Sequence, residues 1–361
     1  MKPLRFVARG GKLRVRSLAN LEPMHIRDVA STLAGATLGS PVRVEGGANN
    51  QVYKLSGDSA EYALKLYISK SGDLRDRLGA EYGALKFLSD HGVTSVPRPL
   101  AIDREHNLAL YEWMDGEQVT TIQDEDISVA LDFVRTLHEL RNADGAETLA
   151  LASEACISPA ELVRQIEGRL ETLKMVSHFD KRLESLINVR MTACLDAATA
   201  RARQYCATCK QAFDADLAME KRTLSPSDFG FHNARRNKNG RIFFLDLEYF
   251  GWDEPAKLGA EFVMHPGMSL THDQKCQFVR GTDEIYGSDL QYQDRMRALF
   301  PLFALRWCLI ALNEFLPDRW SRRITAWQSA DKDSVLDQQL QKSLHLLSIA
   351  ESGIEKFPYD S

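Results

Sequence analysis

The sequence predicts an α+β chain in two lobes, a small β-rich lobe over residues 41–116 and a large, mostly helical lobe over residues 117–361, behind an N-terminal extension of residues 1–40. Three observations carry this reading. Alternating apolar residues broken by Gly turns dominate up to about residue 116, helical periodicity dominates beyond it, and a loop and hairpin at residues 225–248 gather acids and an amide. At 361 residues and 44% hydrophobic content the chain is long enough to bury more than one core.

In the extension, Phe6-Val-Ala and Leu13-Arg-Val read as short strands around Gly10-Gly11, followed by a helix near residues 25–33. Val42-Arg-Val-Glu-Gly46-Gly47-Ala-Asn-Asn50-Gln-Val52 reads as strand, turn, strand, because Gly and Asn tolerate the turn and β-branched residues flank it. Gly46, Gly47 and Asn50 form either a plain hairpin or a cover over phosphates. In Glu61-Tyr-Ala-Leu-Lys65-Leu-Tyr67 a single Lys interrupts an apolar alternation, as an edge residue in solvent or as a cation for phosphate. Leu74, Leu78, Leu85 and Leu88 then fall at near-helical spacing, which turns Glu81 either inward towards Lys65 or out to solvent. Val96-Pro97-Arg-Pro99 forces extended chain, and Leu108-Ala-Leu-Tyr-Glu112-Trp113-Met114 is an apolar strand that ends at Gly116.

The large lobe opens with two amphipathic helices, marked by Ile127, Leu131, Val134 and Leu137 and by Leu162, Ile166, Leu170 and Leu173. Helical character continues through residues 158–217. Cys206 and Cys209 lie in that run as packing residues, since no second Cys pair or nearby His completes a zinc site. The longest apolar stretch, residues 298–316, contains Pro301, Arg306 and Asn313 and reads as a buried helix, not a membrane span.

The chemistry concentrates in Ser225-Pro-Ser-Asp228-Phe-Gly-Phe-His-Asn233 and Ile242-Phe-Phe-Leu-Asp246-Leu-Glu248. An Asp, an Asn five residues on and an Asp thirteen residues beyond that follow the order in which a kinase catalytic loop supplies a hydroxyl-orienting carboxylate and then two metal ligands. The spacing has a physical reason. Asp228 and Asn233 end one tight loop, and a hairpin returns Asp246 to the same cleft, where a hard cation takes oxygen ligands alongside phosphate and water.

These residues resemble the aminoglycoside phosphotransferase and choline kinase family, small-molecule kinases with a protein-kinase-like fold. The tail Gly251-Trp-Asp-Glu-Pro255-Ala-Lys-Leu258 is similar to that family's acidic turn into a helix. The resemblance implies ATP and Mg²⁺ (magnesium) as cofactors, Asp228 as the catalytic acid-base group and Asn233 and Asp246 as metal ligands. It further implies a Lys65–Glu81 ion pair at the phosphates, and an adenine-binding hinge over Glu112, Trp113 and Met114. One departure stands out: the family has His two residues before the loop Asp, where this chain has Pro226 between Ser225 and Ser227. His232 is expected to structure the loop.

The expected function is therefore phosphoryl transfer from ATP to a hydroxyl of a small molecule. A catalytically weak nucleotide-binding protein is the alternative that Pro226 motivates. A protein kinase ranks below both, because Asp-Phe-Gly and Ala-Pro-Glu are missing. Glu248 and Trp252 are the acceptor-pocket candidates, as part of an aromatic cage for an amino-alcohol cation or as a platform for a sugar; the lack of a dense acidic patch favours a sugar-like acceptor. A net charge of −5, from 45 basic and 50 acidic residues, gives no footprint for nucleic acid. Six Cys without an apolar leader indicate a reducing, cytoplasmic setting, with no membrane partner.

Overall fold

The computed structural model describes residues 23–44, 50–68, 75–320 and 331–360. The expected strands at residues 6–15, the turn glycines Gly46 and Gly47, and Leu74 lie outside the described residues.

The small lobe is one antiparallel sheet, ordered β1-β2-β3-β5-β4, from β1 (Val42–Val44), β2 (Asn50–Ser56), β3 (Glu61–Tyr67), β4 (Pro99–Asp103) and β5 (Leu108–Glu112). Its two faces follow from the period of two along a strand. Leu55, Leu64, Leu66, Leu108 and Leu110 pack outward, where α1 (Pro23–Ala34) covers them with Ile26 and Ala30. The opposite face presents Ala63, Lys65 and Tyr67 of β3 and Ala109 and Tyr111 of β5, and α2 (Arg77–Asp90) lies against it. Lys65 thus interrupts the alternation on the face that looks inward. Asp76 starts α2, its side chain accepting from the Gly79 N–H at 2.8 Å.

After β5 the chain crosses to the large lobe through Gly116, whose φ of +135° is open only to glycine and whose missing Cβ would lie 2.6 Å from the Arg236 carbonyl oxygen. That contact seats β6 (Glu117–Gln118) on the hairpin of β8 (Ala234–Arg236) and β9 (Ile242–Phe244). A second ribbon pairs β7 (Thr223–Ser225) with β10 (Gly251–Asp253), so the two strands bracketing the catalytic segment are tied to each other.

The helices of the large lobe pack these ribbons from below. They are α3 (Asp124–Leu140), α4 (Pro159–Ser177), α5 (Lys181–Ser185), α6 (Thr192–Thr208), α7 (Pro255–Met264), α8 (His272–Ile285), α9 (Tyr292–Ala311) and α10 (Lys332–Glu355). Asp124, Glu125 and Asp126 in the first turn of α3 complement its dipole. A π-helical turn at Leu186–Met191 joins α5 to α6. By length and composition α9 could cross a membrane, yet it is the core helix of this lobe, buried against α4, α6, α7 and α10. It runs straight through Pro301, which has no N–H to offer the Arg297 carbonyl. The Arg201 guanidinium of α6 donates to that carbonyl instead, at 3.4 Å. Cys206 packs with Tyr205 and Ala298, and Cys209 lies at the edge of the same cluster.

Phe231, inside the catalytic loop, packs edge-on against Phe262 of α7 at 5.8 Å, and Phe262 stacks on Phe278 of α8 at 3.7 Å. Because Phe262 is only 1% exposed, Phe262→Ala is expected to lower stability by about 3–5 kcal/mol, through lost transfer energy and the cavity left behind. Urea denaturation measures this; a loss below about 1 kcal/mol would show that the aromatic stack does not anchor the loop.

Candidate active site

A cleft of about 340 Å³ lies between the lobes and is lined by Asn50, Lys65, Glu81, Glu112, Trp113, Met114, Asn233 and Asp246. At its centre Lys65 Nζ meets Glu81 Oε2 of α2 at 2.6 Å and Asp246 Oδ1 of the large lobe at 2.5 Å. Glu81 is 4% exposed and accepts a second bond from the Tyr67 hydroxyl at 2.6 Å, so α2 cannot turn it to solvent without losing both. Burial alone would lower the Lys65 pKa, but the carboxylates of Asp246, Glu81 and Glu248 outweigh burial and keep the ammonium charged.

Asp246 is held in the left-handed region at φ 62°, one residue past Leu245, whose N–H donates to the Asn233 carbonyl at 2.8 Å. That bond fixes the two expected metal ligands beside each other. The Asn233 NH₂ donates to the Asp228 carbonyl at 3.0 Å, which leaves the amide oxygen for a cation. Asp246, Glu81 and Glu248 each place a carboxylate oxygen within 4.8 Å of the others. Such an all-oxygen set fits Mg²⁺; Lys65 bonds two of its members, and Arg77 lies 3.8 Å from Glu248.

Asp228 sits at the apex of a tight turn, with the Phe229 N–H donating to the Ser227 carbonyl at 2.9 Å and Ser227 itself at φ 68°. Of the five non-glycine residues with positive φ among those described, Glu154, Ser227 and Asp246 surround this region, the usual location of stored backbone strain. Ser227 is braced from below: its N–H donates to Ser225 Oγ at 3.1 Å, and buried Lys257, paired with Asp253 at 2.5 Å, reaches its Oγ at 3.4 Å.

Two imidazoles converge on Asp228. His232 Nε2 and His265 Nε2 both lie 3.1 Å from Oδ1, and the rings stack at 3.7 Å and 6°. The Gly267 N–H donates to His265 Nδ1 at 3.1 Å, which fixes the tautomer with its proton on Nε2, pointing at Asp228. Burial lowers the His265 pKa more than Asp228 raises it, so the ring is a neutral donor. Burial would raise the Asp228 carboxyl, but the bonds from His232 and His265 outweigh it and hold the group well below the usual carboxylate range. Oδ1 serves both rings, and Oδ2 lies 3.5 Å from the Asn233 NH₂. His265 follows α7 and belongs to no motif that sequence spacing could flag.

The remaining expectations divide. Trp113 and Glu112 commit their N–H groups to the carbonyls of Glu61 (3.2 Å) and Arg98 (2.9 Å), and the Trp113 ring lies between Lys54 (4.8 Å) and Arg235 (5.2 Å). Among the described backbone contacts the Met114 N–H, at the expected hinge, donates to no carbonyl. Asn50 bonds Glu248 through a short contact, across the lobes. Glu248 is 1% exposed and Trp252 5%, so both side chains are buried. Trp252 is turned inward because β10 pairs with β7, and its Nε1 donates to the Ala146 carbonyl at 3.0 Å. A different cavity, of about 280 Å³, opens on Asp228, with Ser227, Tyr249, His265 and Trp307 in its wall.

Against known proteins, the family model for the phosphotransferase enzyme family matches residues 41–299. No curated protein sequence matches the chain. Among solved structures, spectinomycin phosphotransferase APH(9)-Ia in complex with ADP and spectinomycin is similar at 13% identity and a TM-score of 0.58, over 92% of this chain and 98% of that one. Choline kinase LicA from Streptococcus pneumoniae is similar at 16% identity and 0.57, over 90% and 98%. A choline/ethanolamine kinase family protein from Mesorhizobium loti gives 16% and 0.56, over 93% and 98%.

Two outcomes follow from this geometry. Lys65→Met is expected to reduce turnover by orders of magnitude and to lower the thermal melt, since it removes a phosphate-positioning charge and leaves Glu81 buried without its cation; unchanged turnover in the folded variant would show that another cation does this work. His265→Leu is expected to move the acid limb of the kcat/KM profile up by roughly one pH unit, because Asp228 loses one of the donors that keep it ionised. His265→Gln, which keeps an N–H near Nε2, is expected to restore the limb, and a profile identical in all three proteins would contradict the assignment. Strand-borne lysine, helix-borne glutamate, loop carboxylate and amide, and the family match over most of its length together place the chain in the phosphotransferase enzyme family, as a small-molecule kinase.

Proposed function

We propose that the protein transfers the γ-phosphoryl group of Mg·ATP to a hydroxyl of a small molecule seated against Asp228. The observation that supports this reading is the continuous chain Glu81–Lys65–Asp246, joined through Leu245 to Asn233 and from there to Asp228, which runs from the cleft between the lobes to the cavity that opens on Asp228.

In this reading Glu81 holds Lys65, and Lys65 holds the nucleotide phosphates. The Met114 N–H receives the adenine edge. Asn233 and Asp246 would hold Mg²⁺, which would neutralise charge on the phosphates. Lys65, still held by Glu81, would meet phosphate oxygens. Asp228 orients the acceptor hydroxyl through Oδ2 and takes its proton late. A carboxylate held this far below its usual range is a weak base, which suits a loose transition state that needs alignment more than early proton removal. The brace that a His at position 226 would provide comes here from His232 and His265 with Ser225 and Lys257 beneath. Pro226 therefore gives no support to a non-catalytic reading.

Asp246→Ala is expected to abolish turnover and to weaken Mg·ATP more than metal-free ATP in calorimetry; equal nucleotide affinity with and without Mg²⁺ in the wild type would refute the ligand assignment. Asp228→Asn keeps the loop's shape but cannot accept the proton. It is expected to cut turnover by at least about 10²-fold while sparing Mg·ATP affinity, and retained turnover would remove Asp228 from the mechanism.

A further inference from the structure

We infer that the acceptor carries an oxyanion, a carboxylate or a phosphate, beside its reactive hydroxyl, and that the arginines of the cavity on Asp228 hold it. This rests on the phosphotransferase reading and adds the chemical class of the second substrate.

The charged wall of that cavity consists of Arg75, Arg169, Arg306 and Arg319 with Glu154 and Glu261, apart from Asp228 itself. Both glutamates are already bracketed by cations. Glu261 pairs with Arg306 through a short contact and lies 3.9 Å from Lys257. Glu154 meets Arg306 at 2.7 Å, Arg169 through a short contact and Arg75 at 3.8 Å. Burial would raise the Glu154 carboxyl, yet Arg169 and Arg306 outweigh it and hold it at about 2. An ammonium group entering here would find no carboxylate to itself and several guanidinium groups around it.

An oxyanion finds the reverse. A guanidinium offers five N–H donors in a planar fork that matches carboxylate and phosphate oxygens. Arg306 is fixed by Glu261, Glu154 and Gln165 (3.3 Å), while among the described contacts Arg169 commits one nitrogen to Glu154. Rigid forks of this kind bind an anion without first being ordered, which is where affinity is otherwise lost. The anion's seat is the arginine side of the cavity itself, because the groove of about 970 Å³ into which the cavity continues adds Glu161, Asp214 and Asp216 to its wall and an Arg164 already bonded to Glu161 at 2.6 Å. The hydroxyl end can thus reach Asp228 while the charged end meets Arg169 and Arg319.

The test is ATP consumption with matched acceptor sets, in which neutral hexoses and polyols are compared with the corresponding uronates and hydroxy acids, the sugar phosphates and the amino sugars. The anionic members are expected to exceed their neutral parents in kcat/KM by at least roughly 10-fold, the worth of a charge-assisted hydrogen bond. Uronates against sugar phosphates then tell carboxylate from phosphate. In Arg169→Gln and Arg319→Gln the KM for the anionic acceptor is expected to rise roughly 10- to 100-fold, with Mg·ATP affinity and the neutral parent's kcat/KM little changed. Preference for neutral or amino sugars, or an equal loss on all acceptors in the Arg variants, overturns the inference and leaves the kinase reading standing. If nothing is phosphorylated, the kinase reading fails instead, and thermal shifts with Mg·AMP-PNP decide the inference separately. A shift by anionic acceptors that the Arg variants lose supports it, and no shift by any of them overturns it.

Discussion

The cleft depends on one buried cation. Lys65 joins β3 to α2 through Glu81 and joins the small lobe to the large one through Asp246, so a single ammonium sets the position of the helix, the sheet and the hairpin relative to one another. Breaking one partner from such a pair leaves an uncompensated buried charge, which is why the lobes hold this arrangement more firmly than their packing alone would require. The contact also has a chemical meaning. The ammonium sits among the carboxylates of Asp246, Glu81 and Glu248, which outweigh burial and keep it charged.

The large lobe meets a different demand, since it must hold an ionised carboxylate at the tip of a strained turn. It does so with a buried charge lattice: Lys257 between Asp253 and Ser227, Asp253 accepting the Cys156 and Glu254 N–H groups at 2.9 and 2.8 Å, and Arg306 tying Glu261 to Glu154. Left-handed Ser227, Asp246 and Glu154 are affordable only because this lattice and the Phe231–Phe262–Phe278 stack over-determine the backbone. The same lattice that fixes Asp228 also lines the cavity that opens on it, through Glu154, Glu261 and Arg306.

Much of this was legible in sequence wherever a local pattern encodes it. Lys65 breaks a period-two alternation, and that alternation decides which face it takes. Asp228, Asn233 and Asp246 keep a spacing that a loop and hairpin convert directly into proximity. Helical spacing allows Glu81 an inward or a solvated position, and Tyr67 decides it by supplying a second buried donor. Other features have no local signature. His265 reaches Asp228 only because α7 ends beside the loop, and Arg75, Arg169, Arg306 and Arg319 come from four separate segments. The burial of Trp252 has no local signature either: an aromatic residue amid acids suggests a binding surface, but its side of β10 is set by pairing with β7, which composition does not report.

The central claim is that this cleft moves a phosphoryl group onto a hydroxyl oxygen. ³¹P NMR of the wild-type protein with Mg·ATP and the pooled acceptors tests it most directly. The account predicts a new phosphate monoester resonance that grows in step with ADP, without matching inorganic phosphate. ATP that is bound but unchanged, or converted to ADP and inorganic phosphate alone with every acceptor present, would contradict it.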